Sequence, residues 1–147
     1  MVYDPLRNEM FYAERNEGSV LNGMPIEVSR KKRLTESTFG IDIYHTPSLI
    51  KRELRILQIL ANKVQVVRSF FSGALELCYL SCGRIDIRID DSYKPWDVSA
   101  GYLIAAESGA RVTDMQNRKW TLKSKSLVAA NPMLHHHLID LFQKQLK

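Results

Sequence analysis

The chain has 147 residues, 45% hydrophobic and 25% charged, an ordinary globular composition with length enough for one domain and a sizeable core. Its 21 basic and 16 acidic residues leave a net charge of +5, which suits a small anionic substrate and brings nucleic acid into consideration. No apolar run reaches the roughly 20 residues of a membrane span. The start, Met-Val-Tyr-Asp-Pro, lacks the features of a signal peptide, and two cysteines make no disulfide framework, so the expected compartment is the cytoplasm.

In chain order, Val2-Tyr3 and Glu9 to Glu14 read as strands divided by the turn Asp4 to Asn8. Asn16-Glu17-Gly18 turns again, and Asn22-Gly23 signals a hairpin before a strand at Pro25 to Val28. Arg30-Lys31-Lys32-Arg33 is a dense basic cluster without aromatic residues, expected to be a solvated connection rather than a nucleic-acid platform. Strands then alternate with helices: a strand at Thr38 to Ile43, a helix opened by Thr46-Pro47, and a strand at Val64 to Val67. An apolar helix from Ser72 to Cys82 is followed by an alternating strand, Arg84 to Asp90, and a helix from Asp97 to Ser108. Strands at Arg111 to Thr113 and Ser126 to Ala130 precede a final helix capped by Asn131-Pro132. The change of style predicts an antiparallel hairpin segment over residues 1–33 and an α/β lobe with a helix-flanked mixed sheet over 34–147.

Lys-Pro-Trp-Asp-Val-Ser-Ala-Gly, residues 94 to 101, sits between a strand and an apolar helix. Asp97 at the helix start is either a simple cap or an oxygen ligand for a hard cation, beside a helix end that attracts phosphate. Residue pattern alone favours the cap. Asp90 and Asp91 either complete an acidic pocket with Asp97 or end an exposed strand. Trp96 is read as a core anchor, and Lys94 as a rim residue or a phosphate contact. Cys78 and Cys82 share a helical face and are expected to pack rather than bind metal. Adjacent helical residues point about 100° apart, so His135-His136-His137 cannot converge on one ion and is expected on a partly solvated helix surface. His45 has no partner at a telling spacing. The chain contains no glycine-rich phosphate loop and no nucleophile elbow.

Trp96-Asp97-Val98-Ser99-Ala100-Gly101, continuing through Glu107-Ser108-Gly109-Ala110, resembles the C-terminal signature of the inositol monophosphatase family, Trp-Asp-x-Ala-Ala-Gly with a following Glu-Ala-Gly-Gly. Ala74 to Tyr79 and Gly83-Arg84-Ile85-Asp86 resemble the preceding helix and strand, close to the archaeal type that also acts on fructose 1,6-bisphosphate. Val2 to Pro5 and Gly18 to Gly23 are similar to its central hairpins. The resemblance covers the whole sequence but only the second half of such a protein. The metal-binding Asp-Pro-Ile/Leu-Asp-Gly-Thr motif and the Glu-Glu pair of the first half do not occur, because Asp4-Pro5 continues as Leu6-Arg7.

The resemblance implies the C-terminal half of a layered αβαβα sugar-phosphatase fold and Mg2+-dependent hydrolysis of a phosphomonoester. It makes Asp97 a ligand of the second Mg2+ and Asp90 the family carboxylate, often Glu, that bonds substrate hydroxyls. Ser72 and Gly73 then line the sugar or inositol pocket, with Phe71 where glycine is usual. One carboxylate cannot hold the family's metals, so no catalytic residue is assigned, Mg2+ binding is expected to be weak or absent, and the chain is expected to be inactive alone. Expected partners are an inositol phosphate or sugar bisphosphate, and a second copy or the missing N-terminal half that covers its strand edges. Met1, at the edge of the first strand, is consistent with an internal start in a longer reading frame. A non-catalytic binding or dimerisation protein on the same fold is the alternative.

Overall fold

The computed structural model describes residues 1–44, 46–91 and 93–145, apart from the side chain of Ser48; His45 lies outside them. The first sheet contains β1 (Val2–Asp4), β2 (Glu9–Glu14), β3 (Gly18–Leu21) and β4 (Met24–Pro25), antiparallel and in that order. Asn22 and Gly23 both have positive φ, 49° and 79°, as the tight hairpin turn requires. The expected strand at Pro25 to Val28 stops at Pro25. Ile26 still donates to the Ser19 carbonyl (3.0 Å), but the Val28 N–H turns to the Ser108 carbonyl (3.1 Å), which carries the chain off the sheet.

The second sheet has the order β6-β5-β7-β9-β8, formed by β5 (Thr38–Gly40), β6 (Val66–Arg68), β7 (Ile87–Asp90), β8 (Arg111–Thr113) and β9 (Leu127–Ala130). β5 is parallel to both β6 and β7, and β9 is antiparallel to β7 and β8. Among the described residues four α-helices accompany it: α1 (Pro47–Leu60), α2 (Gly73–Ser81), α3 (Pro95–Glu107) and α4 (Pro132–Gln145). α4 starts where expected because Asn131 Oδ1 accepts the N–H groups of Met133 and Leu134, each at 3.0 Å.

Two cores order these parts into β-α-β-α layers. Phe11 and Ala13 of the first sheet, Leu77 and Leu80 of α2, Val98 and Ile104 of α3, and Leu127 and Ala129 of β9 form one core. Ile87 and Ile89 of β7, Val128 and Ala130 of β9, and residues of α1 and α4 form the other. Between the sheets α2 and α3 pack so closely that a Cβ on Gly101 would lie 2.7 Å from Leu77 Cβ. That contact sets the N-terminal ends of the two helices side by side, at the carboxyl ends of β5 and β7.

The sequence pattern fails at two further places. The alternating strand is shorter than expected, and its polar positions are buried rather than facing water: Asp86, Arg88 and Asp90 are all 5% exposed or less. β7 is the central strand of a sheet packed by α2 and α3 on one face and by α1 and α4 on the other, so both of its faces are covered. His135 is buried under β8, with Nε2 2.8 Å from Thr113 Oγ1, whereas His136 is exposed as anticipated. Cys78 and Cys82 pack as expected, and burial pushes the Cys78 thiol up to about 12.

Candidate active site

Ligands of open α/β sheets bind beyond the carboxyl ends of the parallel strands. Here those ends carry Asp42 and Tyr44 after β5 and Asp90 in β7; beside them start α2, at Gly73, and α3, at Pro95. Ser72 caps α2 by accepting the Leu75 N–H at 3.4 Å. A Cβ on Gly73 would lie 3.5 Å from the Asp97 carbonyl oxygen and 3.8 Å from Asp90 Oδ2. The expected site residues Ser72, Gly73, Asp90 and Asp97 therefore meet in one place.

Two of the surrounding residues are placed differently from the expectation. α3 begins at Pro95, two residues earlier than expected, so Asp97 lies inside its first turn, where Oδ2 accepts the Lys94 N–H at 2.8 Å. This is a capping interaction at the third helical position, and it leaves the residue exposed. Trp96 is no core anchor: it is 75% exposed, because the helix directs its first turn outward and buries Val98 and Gly101 instead.

Asp90 and Asp91 do not end an exposed strand. Asp91 is held by Arg52 through two bonds of 2.6 Å, and burial, only partly offset by Arg52, raises its carboxyl to about 6. Asp90 Oδ2 accepts from Arg88 Nη2 at 2.7 Å. The same Arg88 nitrogen reaches Asp42 Oδ2 at 3.0 Å, and Nη1 pairs with Glu76. Burial alone would depress the Arg88 guanidinium, but Asp90, Glu76 and Asp42 outweigh it and raise it. Glu76 goes up to about 7, chiefly through burial. Burial works on Asp42 too, yet Arg88, the Ser69 hydroxyl and the Phe71 N–H hold it below the ordinary carboxylate range.

Sequence reading missed Arg88, Asp42, Glu76 and Tyr44. The signal was available in Ile85-x-Ile87-Arg88-Ile89: a strand covered on both faces forces its arginine to find buried counter-charges. Tyr44 is half-buried, and its hydroxyl is pushed up to about 12 by burial and by Asp90, Asp42 and Asp97 around it.

Among the described residues, no group of three or more His, Cys, Asp and Glu side chains is arranged to hold a metal ion. The physical reason is that Arg88 already occupies the centre of Asp42, Glu76 and Asp90 as their cation. Asp97 remains as one exposed carboxylate, which by itself does not fit the oxygen set that Mg2+ demands. A cavity of about 720 Å³ lies elsewhere, between the β3–β4 edge and the start of α4. Its floor is largely apolar, and two of its three carboxylates are engaged locally, Glu27 with Arg30 (2.9 Å) and Glu107 with the Gly18 N–H (3.2 Å). Charged groups converge instead at the strand ends, around Arg88.

A mixed sheet layered between helices, beside an antiparallel hairpin sheet, places the chain among α/β proteins of the inositol monophosphatase fold. The model of the inositol monophosphatase family matches residues 1–147, and the chain belongs to that family. It is 36% identical over 145 residues to a Nus factor SuhB of Pasteurella multocida, covering 97% of this chain and 54% of the relative. It is 31% identical over 147 residues to an inositol monophosphatase of Mesembryanthemum crystallinum, covering 98% and 54% respectively. Among solved structures, the extragenic suppressor protein suhB of Bartonella henselae superposes with a TM-score of 0.90 at 30% identity, over 97% of this chain and 55% of that one. The chain thus spans about half the length of the curated relatives it matches. No helix among the described residues is long and apolar enough to cross a membrane.

Proposed function

We propose that the cluster of Ser72, Gly73, Asp90 and Asp97 is the substrate side of a Mg2+-dependent phosphomonoesterase site of the inositol monophosphatase type. The observation that carries this reading is their convergence at the carboxyl ends of β5 and β7. The substrate is a small phosphate ester, an inositol phosphate or a sugar bisphosphate such as fructose 1,6-bisphosphate. Ser72 and Gly73 bring the amide end of α2 toward the phosphate, whose charge the helix dipole favours. Asp90, oriented by Arg88, accepts a hydroxyl of the substrate. Asp97 would supply one oxygen to a Mg2+ ion whose other protein ligands lie in the N-terminal half of the family's proteins. The chain by itself then binds Mg2+ weakly and hydrolyses phosphomonoesters little. The division at residues 33 and 34 into a hairpin segment and an α/β lobe, and a cytoplasmic location, belong to the same proposal.

The test is a Mg2+ titration of the full chain followed by amide NMR, with Asp97→Asn as control, beside an assay of inositol 1-phosphate hydrolysis. Mg2+ shifts the amides of Trp96 to Val98 in the wild type and not in the variant, whose side-chain oxygen still accepts the Lys94 N–H. Equal shifts in both proteins would remove Asp97 as a ligand. Hydrolysis at the rate of a complete phosphatase would refute the incompleteness of the site. The relatives named Nus factor SuhB favour a second reading, a non-catalytic binding or dimerisation protein on this fold. An unresponsive Asp97 region supports that one.

A further inference from the structure

Phe71 combines two unusual properties: its side chain is 67% exposed, and its backbone has a φ of 54°. A bulky residue in the left-handed region is a genuine outlier, and such outliers concentrate at ligand clamps. Packing does not demand it, since most of the ring faces solvent. The turn does not demand it either, because glycine or asparagine adopts this conformation more easily. What the surroundings supply is a brace. The Phe71 N–H donates to Asp42 Oδ1 at 3.0 Å and the Ser69 hydroxyl to the same oxygen at 2.8 Å. Asp42 Oδ2 is tied in turn to the buried Arg88 at 3.0 Å. The Phe71 ring meets Tyr44 edge-on, with centroids 6.3 Å apart and planes at 84°. Tyr44 lies within the electrostatic reach of Asp90 and Asp97, and Phe71 immediately precedes Ser72 and Gly73. An aromatic face is thereby held open at the mouth of the strand-end site.

We propose that Phe71, braced by Tyr44 and by the Asp42–Arg88 pair, selects phosphomonoesters whose alcohol carries a planar ring, as in a nucleoside monophosphate, over small polyol phosphates. A flat base gains stacking on an exposed phenylalanine, and a saturated polyol ring does not. This deepens the phosphomonoesterase reading and rests on it.

The experiment compares adenosine 5′-monophosphate, inositol 1-phosphate and inorganic phosphate as ligands of the full chain with Mg2+ present. Binding is read from Trp96 fluorescence, since Trp120 is buried, and from the amides of Phe71 to Gly73 and Trp96 to Val98. The nucleotide binds about tenfold more tightly than inositol 1-phosphate, in the range of one stacked base. Phe71→Asn suits the left-handed backbone and keeps the N–H to Asp42, so it abolishes this preference with little change in Tm. Phe71→Tyr retains the ring and restores the preference. Equal binding by the wild type, or an unchanged preference in Phe71→Asn, overturns the inference while the amide shifts keep the site reading intact. A variant whose only effect is to dissociate a dimer also overturns it, because the ring then serves contact between copies. If none of the three ligands moves these amides, the site reading fails and the inference fails with it.

Discussion

Arg88 and His135 are both buried titratable side chains, and the interior accommodates them in opposite ways. Arg88, 1% exposed in the middle of β7, keeps its charge because Asp42, Glu76 and Asp90 surround it. His135, fully buried in the first turn of α4, gives up its charge: burial, with Arg111 and His136 nearby, pushes the imidazole down to about 4. The Thr113 hydroxyl donates to the Asp114 carbonyl at 2.8 Å, so His135 Nε2 donates to Thr113. Nδ1 is then unprotonated and has no hydrogen-bond partner among the described residues. The two lie at nearly the same level along the strands but at different ones: Thr113, the partner of His135, pairs with Val128 of β9, which pairs with Ile89, the residue after Arg88. A neutral imidazole with one bond does packing work. A guanidinium with three carboxylates creates a field, and that field ends where β5 and β7 open toward the exposed Asp97.

The comparison breaks most visibly at Arg88. Arg88→Met preserves much of the volume but leaves three buried carboxyl groups without their cation, and breaking such a group costs about 3–5 kcal/mol. Urea unfolding at neutral pH measures it; a loss below about 1 kcal/mol would mean that the carboxyl groups are already neutral and that no such field exists. His135 gives a smaller, pH-dependent effect. Its folded value is lowered, so the unfolded chain binds the proton more tightly between pH 6.5 and about 4. Stability therefore rises with pH through that window, by on the order of 2 kcal/mol between pH 5 and 6.5. Glu76 and Asp91, with carboxyls raised to about 7 and about 6, act with the opposite sign, losing stability as pH rises toward those values. The informative measurement is consequently the difference between wild type and His135→Gln across this range. A pH-independent difference would place a charged or water-linked imidazole there.

This contrast also marks what could be read in advance. Element types and order were legible because hydrophobic period, Asn22-Gly23, Pro47 and Asn131-Pro132 act locally, within a few residues. The family signature made the neighbourhood of Asp97 legible as well. Long-range pairing was not: Arg88 finds Asp42 across 46 positions in the chain, and nothing in either segment alone specifies the other. The buried His135 was misplaced for a related reason, because which face of α4 is covered depends on where β8 runs. The first turn of α3 failed differently. A tryptophan beside an apolar helix suggests core by composition, but N-terminal residues of a helix project past the layer that the helix packs against.

Trp96 carries the smallest predicted effect and the sharpest consequence for the site. At 75% exposure it has little burial to lose, so Trp96→Ala changes unfolding free energy by less than about 0.5 kcal/mol. Trp120 is the internal reference: it is 4% exposed and its indole N–H bonds the Tyr93 hydroxyl at 2.7 Å, so its truncation falls in the range of about 3–5 kcal/mol. Chemical denaturation of the two variants at several protein concentrations separates the cases. A loss of a few kcal/mol at Trp96 that grows with concentration would mean that another chain covers this ring. The mouth of the site would then be an interface, and Phe71 and Asp97 would have to be reinterpreted together with it.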